Sequence, residues 1–169
     1  MKRFAWLLLA LILLAQGLVG GAMAESTQLR YDASREIAAY LDSVDKKYNV
    51  DTSNDYDLFV AAYTPDEAQG IERITMGVYV MESGVVKIMV PTLVKPDTSD
   101  MATLYQTLER INDSISFVRF CYDTSSGTIY SLIDANYVPD ADFGHLVERY
   151  MYICALVTDQ NYNELAALA

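Results

Sequence analysis

The sequence predicts an α+β domain built on an antiparallel sheet, and three observations predict it. Residues 58–63, 74–81 and 85–90 are rich in Val, Ile, Met and aromatic residues and follow one another with only polar loops between them. Such strands are joined by hairpins rather than by crossover helices. Residues 117–122 and 128–137 repeat that arrangement around the turn 123–127. Apolar residues at helical spacing occur before, between and after the two strand groups. The expected order is α-β-β-β-α-β-β-α in a single domain, with the helices packed on the sheet.

Taken in order, Asp32 or Ser34 can cap a first helix that runs to about Tyr48. Ile37, Leu41, Val44 and Tyr48 form its stripe. Residues 49–57 are dense in Asn, Asp, Ser and Thr and read as a turn into the first strand, 58–63. Residues 64–70 are a polar loop. In the second strand Ile74, Met76, Val78 and Val80 share one face. Glu82, Ser83 and Gly84 make a hairpin connection to the third strand, which Pro91 stops. A loop over 95–100 ends in capping residues. Met101, Leu104, Tyr105, Leu108 and Ile111 then mark a second helix. After the second strand pair, residues 139–142 cap a last helix. Its stripe is Phe143, Leu146, Val147, Tyr150, Met151, Cys154, Val157 and Leu165, with an interruption expected over 159–163.

The leader decides the compartment. Lys2 and Arg3 precede an apolar run over residues 4–19, and Ala22, Met23 and Ala24 give the small-x-small pattern of a signal peptidase site. Residues 1–24 are therefore expected to be a cleaved signal peptide, with residues 25–169 as the mature domain and Glu25 at its start. Retained, the run would serve as an N-terminal anchor. The protein is expected in the periplasm or outside the cell, with no stable membrane insertion after cleavage.

Charge narrows the partners. The chain carries 12 Lys and Arg against 23 Asp and Glu, a net charge of −11. Lys2 and Arg3 are two of those bases and the leader has no acid, so the mature chain stands at −13. A surface this acidic repels phosphate backbones and anionic lipid, which argues against nucleic-acid binding.

Chemistry-bearing patterns are sparse. His145 is the single histidine, placed in the first turn of the last helix, where a surface role suits it. No G-x-S-x-G, phosphate-binding glycine loop or metal-ligand spacing occurs. Asp51, Asn54, Asp55 and Asp57 crowd one loop, but the EF-hand pattern fails for want of its Gly and Glu. No catalytic residue, metal site or cofactor is expected. Cys121 and Cys154, the only cysteines, permit one disulfide in an oxidising compartment; two buried thiols are the alternative. Cys154 lies on the stripe of a helix that can cover the sheet, so the two are expected to approach or to line one core. Thirteen tyrosines suit packing as well as interfaces. Tyr152, Ile153 and Leu156 lie off the main stripe of the last helix and are candidate partner contacts.

Leu108, Glu109, Arg110, Ile111 and Asn112 close the second helix, and Phe117, Val118, Arg119 and Phe120 open the next strand. The Ser126–Gly127 turn, the strand from Thr128 to Ile133 and the long helix from Asp142 follow. This pattern resembles the type III secretion chaperone-like fold, and within it the YbjN family of bacterial sensory transduction regulators. The resemblance covers about residues 33–165 and holds no catalytic signature. It implies a bacterial source, in which the sequon at Asn112, Asp113 and Ser114 has no meaning. Secretion chaperones work in the cytoplasm and this chain has an export signal, so what the resemblance implies is dimerisation and an apolar surface for another chain. The expected function is thus an exported, non-enzymatic protein-binding or chaperone-like module, homodimeric or with a protein partner. The alternative is a small carboxylate-dependent hydrolase or carbohydrate-binding protein, which would need two facing carboxylates about 5–10 Å apart.

Overall fold

The computed structural model describes residues 28–139 and 141–169. Residues 1–27, which include the expected leader and cleavage site, lie outside the described residues, as does Asp140. The described chain is α+β: α1 (Asp32–Ser43), β1 (Tyr48–Asp51), β2 (Tyr56–Tyr63), β3 (Ile74–Met81), β4 (Val85–Val94), a 3-10 turn (Thr98–Asp100), α2 (Met101–Ser114), β5 (Arg119–Asp123), β6 (Thr128–Asn136) and α3 (Phe143–Ala166). The strands form one antiparallel sheet in the order β1-β2-β3-β4-β6-β5.

Period-2 alternation splits the sheet into two faces. The inner face carries Phe59 and Ala61, Ile74, Met76, Val78 and Val80, Val86, Ile88 and Val90, and Ile133 and Ala135. These pack with Ile37 and Leu41 of α1 and with Phe143, Val147, Met151, Cys154 and Ala155 of α3. Beside that core, Leu104, Leu108 and Ile111 of α2 close over Val94, Phe120, Ile129 and Leu165. All three helices therefore lie on one side of the sheet. Each fully buried Ile, Leu or Phe contributes about 1.5–3 kcal/mol by leaving water.

The structure differs from the sequence expectation in four places. First, α1 ends at Ser43 and not near Tyr48, and residues 48–51 form an additional strand. Lys46 donates its N–H to the Leu41 carbonyl (2.9 Å) and Asp45 to the Asp42 carbonyl (3.1 Å), with Asp45 at φ 52°. This is a Schellman closure with Asp in the place usually taken by Gly. Second, β4 runs through Pro91 to Val94. Its ladder with β6 breaks after Val90 and resumes at Val94, with Thr92 at φ 52°. Proline is tolerated there because the bulge requires no donor from it. Third, β5 starts at Arg119; Phe117 stands before it at φ 72°.

Fourth, α3 is continuous across 159–163. The Asp159 carboxylate accepts the N–H groups of Asp66 (2.8 Å), Glu67 (3.1 Å) and Ala68 (2.6 Å). One turn on, Asn163 accepts the Gln69 N–H (2.8 Å) and donates to the Glu67 carbonyl (2.9 Å). Side chains that would break a helix by bonding their own backbone are here engaged by the 64–70 loop.

Candidate binding face

The outer face of the sheet carries no described helix. Register places Leu58 opposite Tyr79, Val60 opposite Gly77, Gly77 opposite Met89, and Met89 opposite Leu132. Leu58, Val60, Tyr79 and Met89 form an apolar cluster of their own, bordered by Tyr56, Met81, Tyr130 and Leu132. Tyr56 tilts against Tyr79 with ring centroids 5.6 Å apart. Burial pushes the Tyr130 hydroxyl up to about 12 and that of Tyr56 to about 12, so both stay protonated donors across the physiological range. Polar residues frame the cluster: Lys87 pairs with Asp134 at 3.5 Å across β4 and β6. The result is an aromatic and aliphatic centre with a charged rim, the composition of interface cores.

The two cysteines are free in the structure, the alternative to a bridge that the sequence left open. Ser131 faces α3, where its hydroxyl lies 3.5 Å from the Cys154 sulfur and 2.9 Å from the Thr158 hydroxyl. Phe120 is the register partner of Ser131, so Cys121, paired with Tyr130, points to the opposite face. The sheet itself separates the two thiols, and they share no core. Burial pushes the Cys154 thiol up to about 11.

The three residues picked out on the last helix divide. Tyr152 is 55% exposed and Leu156 39%. They sit one turn apart as a solvent-facing apolar pair. Ile153 instead packs on the main core. Phe117, 71% exposed and in a left-handed backbone conformation, lies 6.4 Å from the Tyr150 ring. No sequence signal marks that strain, because Phe rarely adopts it.

The acidic loop is engaged internally. The Arg30 guanidinium donates to the carbonyls of Thr52 and Asn54, and Tyr31 donates its hydroxyl to the Asp55 carbonyl at 2.8 Å. Asp51 accepts the Ser53 N–H, and Asp57 turns into the core to accept the Arg30 N–H, both at 2.8 Å. The loop carbonyls of Thr52 and Asn54 are thus taken up by the Arg30 guanidinium. Among the described residues no group of three or more His, Cys, Asp or Glu is placed to hold a metal. His145 stacks on Tyr40 at 5.3 Å and lies 3.4 Å from the Asp142 carboxylate. Asp142 stands at the N-cap of α3 without a side-chain capping bond. A shallow, open depression is lined by Ile71, Glu72, Arg73 and Thr75, with Glu72 its one carboxylate.

The outer face has no counterpart among the sites expected from sequence. Its signal lies in Leu58, Val60, Tyr79, Met89 and Leu132, apolar residues at positions alternate to the core-facing set. A strand apolar on both faces reads as a buried strand, and pattern alone does not say which face lacks a helix. No protein-family model matches the chain, and no curated protein matches it. Among the described residues no helix is long and apolar enough to cross a membrane.

Proposed function

We propose that the mature chain is an exported, non-enzymatic protein-binding module that engages its partner through the outer face of the sheet. One observation carries this reading: a second apolar cluster, Leu58, Val60, Tyr79 and Met89, on the side of the sheet opposite all three helices. Among the described residues no helix packs on this cluster, and its border residues Tyr56, Met81, Tyr130 and Leu132 are only partly buried. The aromatic border of Tyr56 and Tyr130 supplies large contact area with polar tips, as binding surfaces do. The resemblance to the YbjN family and to secretion chaperones supports the same kind of work, since it implies an apolar surface for another chain. The hydrolase alternative gains nothing from the depression at Ile71–Thr75, which offers Glu72 without a facing carboxylate.

A photo-reactive residue at Leu132 or Met81, both on the border of the cluster, tests the reading in exported protein. Discrete adducts, either with another protein or with a second copy, are expected from these positions. Adducts from Tyr152 or Leu156 alone would move the interface to α3.

A further inference from the structure

The two end strands of the sheet, β1 and β5, are finished differently. At β5 the Asn112 side chain of α2 takes the place of a neighbouring strand. Phe120 donates its N–H to the Asn112 Oδ1 (2.8 Å), and the Asn112 Nδ2 donates to the Phe120 carbonyl (2.9 Å). Both backbone groups are thereby used, and a further strand is shut out at that point. At β1, among the described residues, only β2 is hydrogen-bonded to the backbone of residues 48–51. All four of these residues are partly exposed. An edge strand of this kind keeps a row of N–H and carbonyl groups ready for another strand.

Residues 47–51 read Lys-Tyr-Asn-Val-Asp, and this segment complements itself. Two copies laid antiparallel about Asn49 set Asn49 against Asn49, Tyr48 against Val50 and Lys47 against Asp51. The faces agree with that register. Asn49 and Asp51 are ladder partners of Val60 and Leu58, so they lie on the outer side. Tyr48 and Val50 partner Ala61 and Phe59 and lie on the helix side, partly buried against the main core. Lys46 also reaches the helix side, its ammonium 3.5 Å over the Tyr63 ring, and alternation leaves Lys47 on the outer side. Apolar residues thus meet on the helix side and opposite charges meet on the outer side. Each contact occurs twice, because the junction is isologous. Neighbouring registers lose this match. Centring on Tyr48 sets Asp45 against Asp51, and centring on Val50 sets Asn49 against Asp51 and Lys47 against Ser53. Lys47 is free to exchange its present partner, since its pair with Asp45 is almost fully exposed and holds it weakly.

We propose that two copies of the chain join edge to edge through β1, antiparallel about Asn49, so that their two sheets become one. The pairing rests on β1 alone. Its use rests on the reading of the outer face as the binding site, because the two apolar clusters, which begin on β2 next to the junction, then lie on one side of one continuous sheet. A partner would meet a two-fold surface made from both. Each copy is acidic and repels the other, but that repulsion is screened beyond about 8 Å at physiological ionic strength. Paired strands stand about 4.8 Å apart, where the facing Lys47 and Asp51 are in reach of each other.

Charge reversal tests the register. Lys47→Glu sets like charges opposite each other at both ends of the junction, and so does Asp51→Lys. In a mixed pair the two substituted positions face each other with opposite charges, and the native Lys47 and Asp51 face each other at the other end. Sedimentation velocity of exported protein in physiological salt is expected to show a dimer. Each variant alone should weaken self-association about tenfold or more, and their equimolar mixture should restore it. A second measurement is independent of charge. In a Cys121→Ser background, with Cys154 buried, Asn49→Cys should bridge two copies when oxidised glutathione accepts the two thiol hydrogens and leaves as two reduced thiols. Facing Cα atoms of an antiparallel ladder are about 4.5–5.5 Å apart, within disulfide reach. Asp51→Cys should not bridge to itself, because its copies stand four residues out of register, about 14 Å apart. A monomer at the highest soluble concentration would overturn the proposal. So would a dimer that either charge variant leaves intact, a mixture no more associated than its parts, or bridging at Asp51→Cys in place of Asn49→Cys. Leu132 lies on β6, four strands from β1. Its adducts with a different protein in a monomeric sample would remove the pairing and leave the binding-face reading in place.

Discussion

Single side chains hold this fold at positions where the local pattern points elsewhere. Asp159 is one such residue. Burial pushes its carboxyl up, but the donated N–H groups of Asp66, Ala68 and Glu67 outweigh that and hold it below the ordinary carboxylate range. A carboxyl with a lowered folded pKa gives stability that is complete above its unfolded value, near 3.9, and is lost as pH falls through the folded value. Asp159→Ala should therefore cost roughly 2–3 kcal/mol at neutral pH. The difference from the parent should shrink below about pH 4, as urea unfolding at several pH values would show. Unchanged stability at pH 7 would mean the 64–70 loop is not held by this residue. The cysteines give a second residue-scale prediction. Cys154 is fully buried with its thiol pushed up to about 11, whereas Cys121 is partly exposed on the other face. Native protein should take one alkyl group, at Cys121, and two after unfolding without reductant. No labelling of the unfolded, unreduced chain would restore the disulfide.

At the scale of elements, the tightest junction is between α1 and α3. A Cβ built on Gly144 would lie 2.5 Å from the Tyr40 Cβ and 2.6 Å from the Glu36 carbonyl oxygen. Both obstacles lie at or on the backbone of α1, so the helices themselves must part. Gly144→Ala should destabilise by roughly 1–3 kcal/mol despite the better helix propensity of Ala. Thermal unfolding followed by circular dichroism checks this; a raised Tm would contradict the close approach. The same scale shows how much the sequence discloses. Leu104, Leu108 and Ile111 announce α2 because a 3.6-residue stripe persists over three turns, and Asp100 does cap it through the Thr103 N–H (3.0 Å). The hairpin at Gly84 and the turn at Gly127 are legible because both glycines take positive φ. The end of α1 is not legible: Asp45 performs a glycine's task, and Val44 and Tyr48 happen to continue the stripe. β1 is hidden for the same reason, with four residues of mixed polarity that become a strand only by pairing with β2. The face of Cys121 is open in sequence because Phe117 and Cys121 flank Arg119 on one side of the alternation while Val118, Phe120 and Tyr122 make up the other; only the register against Tyr130 decides it.

The whole molecule is asymmetric. One side of the sheet is closed by three helices and two joined cores; the other carries the separate cluster of Leu58, Val60, Tyr79 and Met89, over which no described helix lies. Net negative charge keeps copies apart by repulsion, which is compatible with the proposed binding role. It also predicts that association with a basic partner weakens as salt rises, whereas the apolar contact itself does not. The exposed pair Tyr152 and Leu156 on α3 is the rival surface. The decisive measurement is the affinity of the cut protein for the partner trapped at Leu132, compared between Leu132→Asp and Tyr152→Asp. Both positions are at least partly open to solvent, so both variants should fold. The account predicts at least a tenfold loss, about 1.4 kcal/mol, for Leu132→Asp and an unchanged constant for Tyr152→Asp. The reverse result, with Tyr152→Asp abolishing binding and Leu132→Asp leaving it intact, would contradict it.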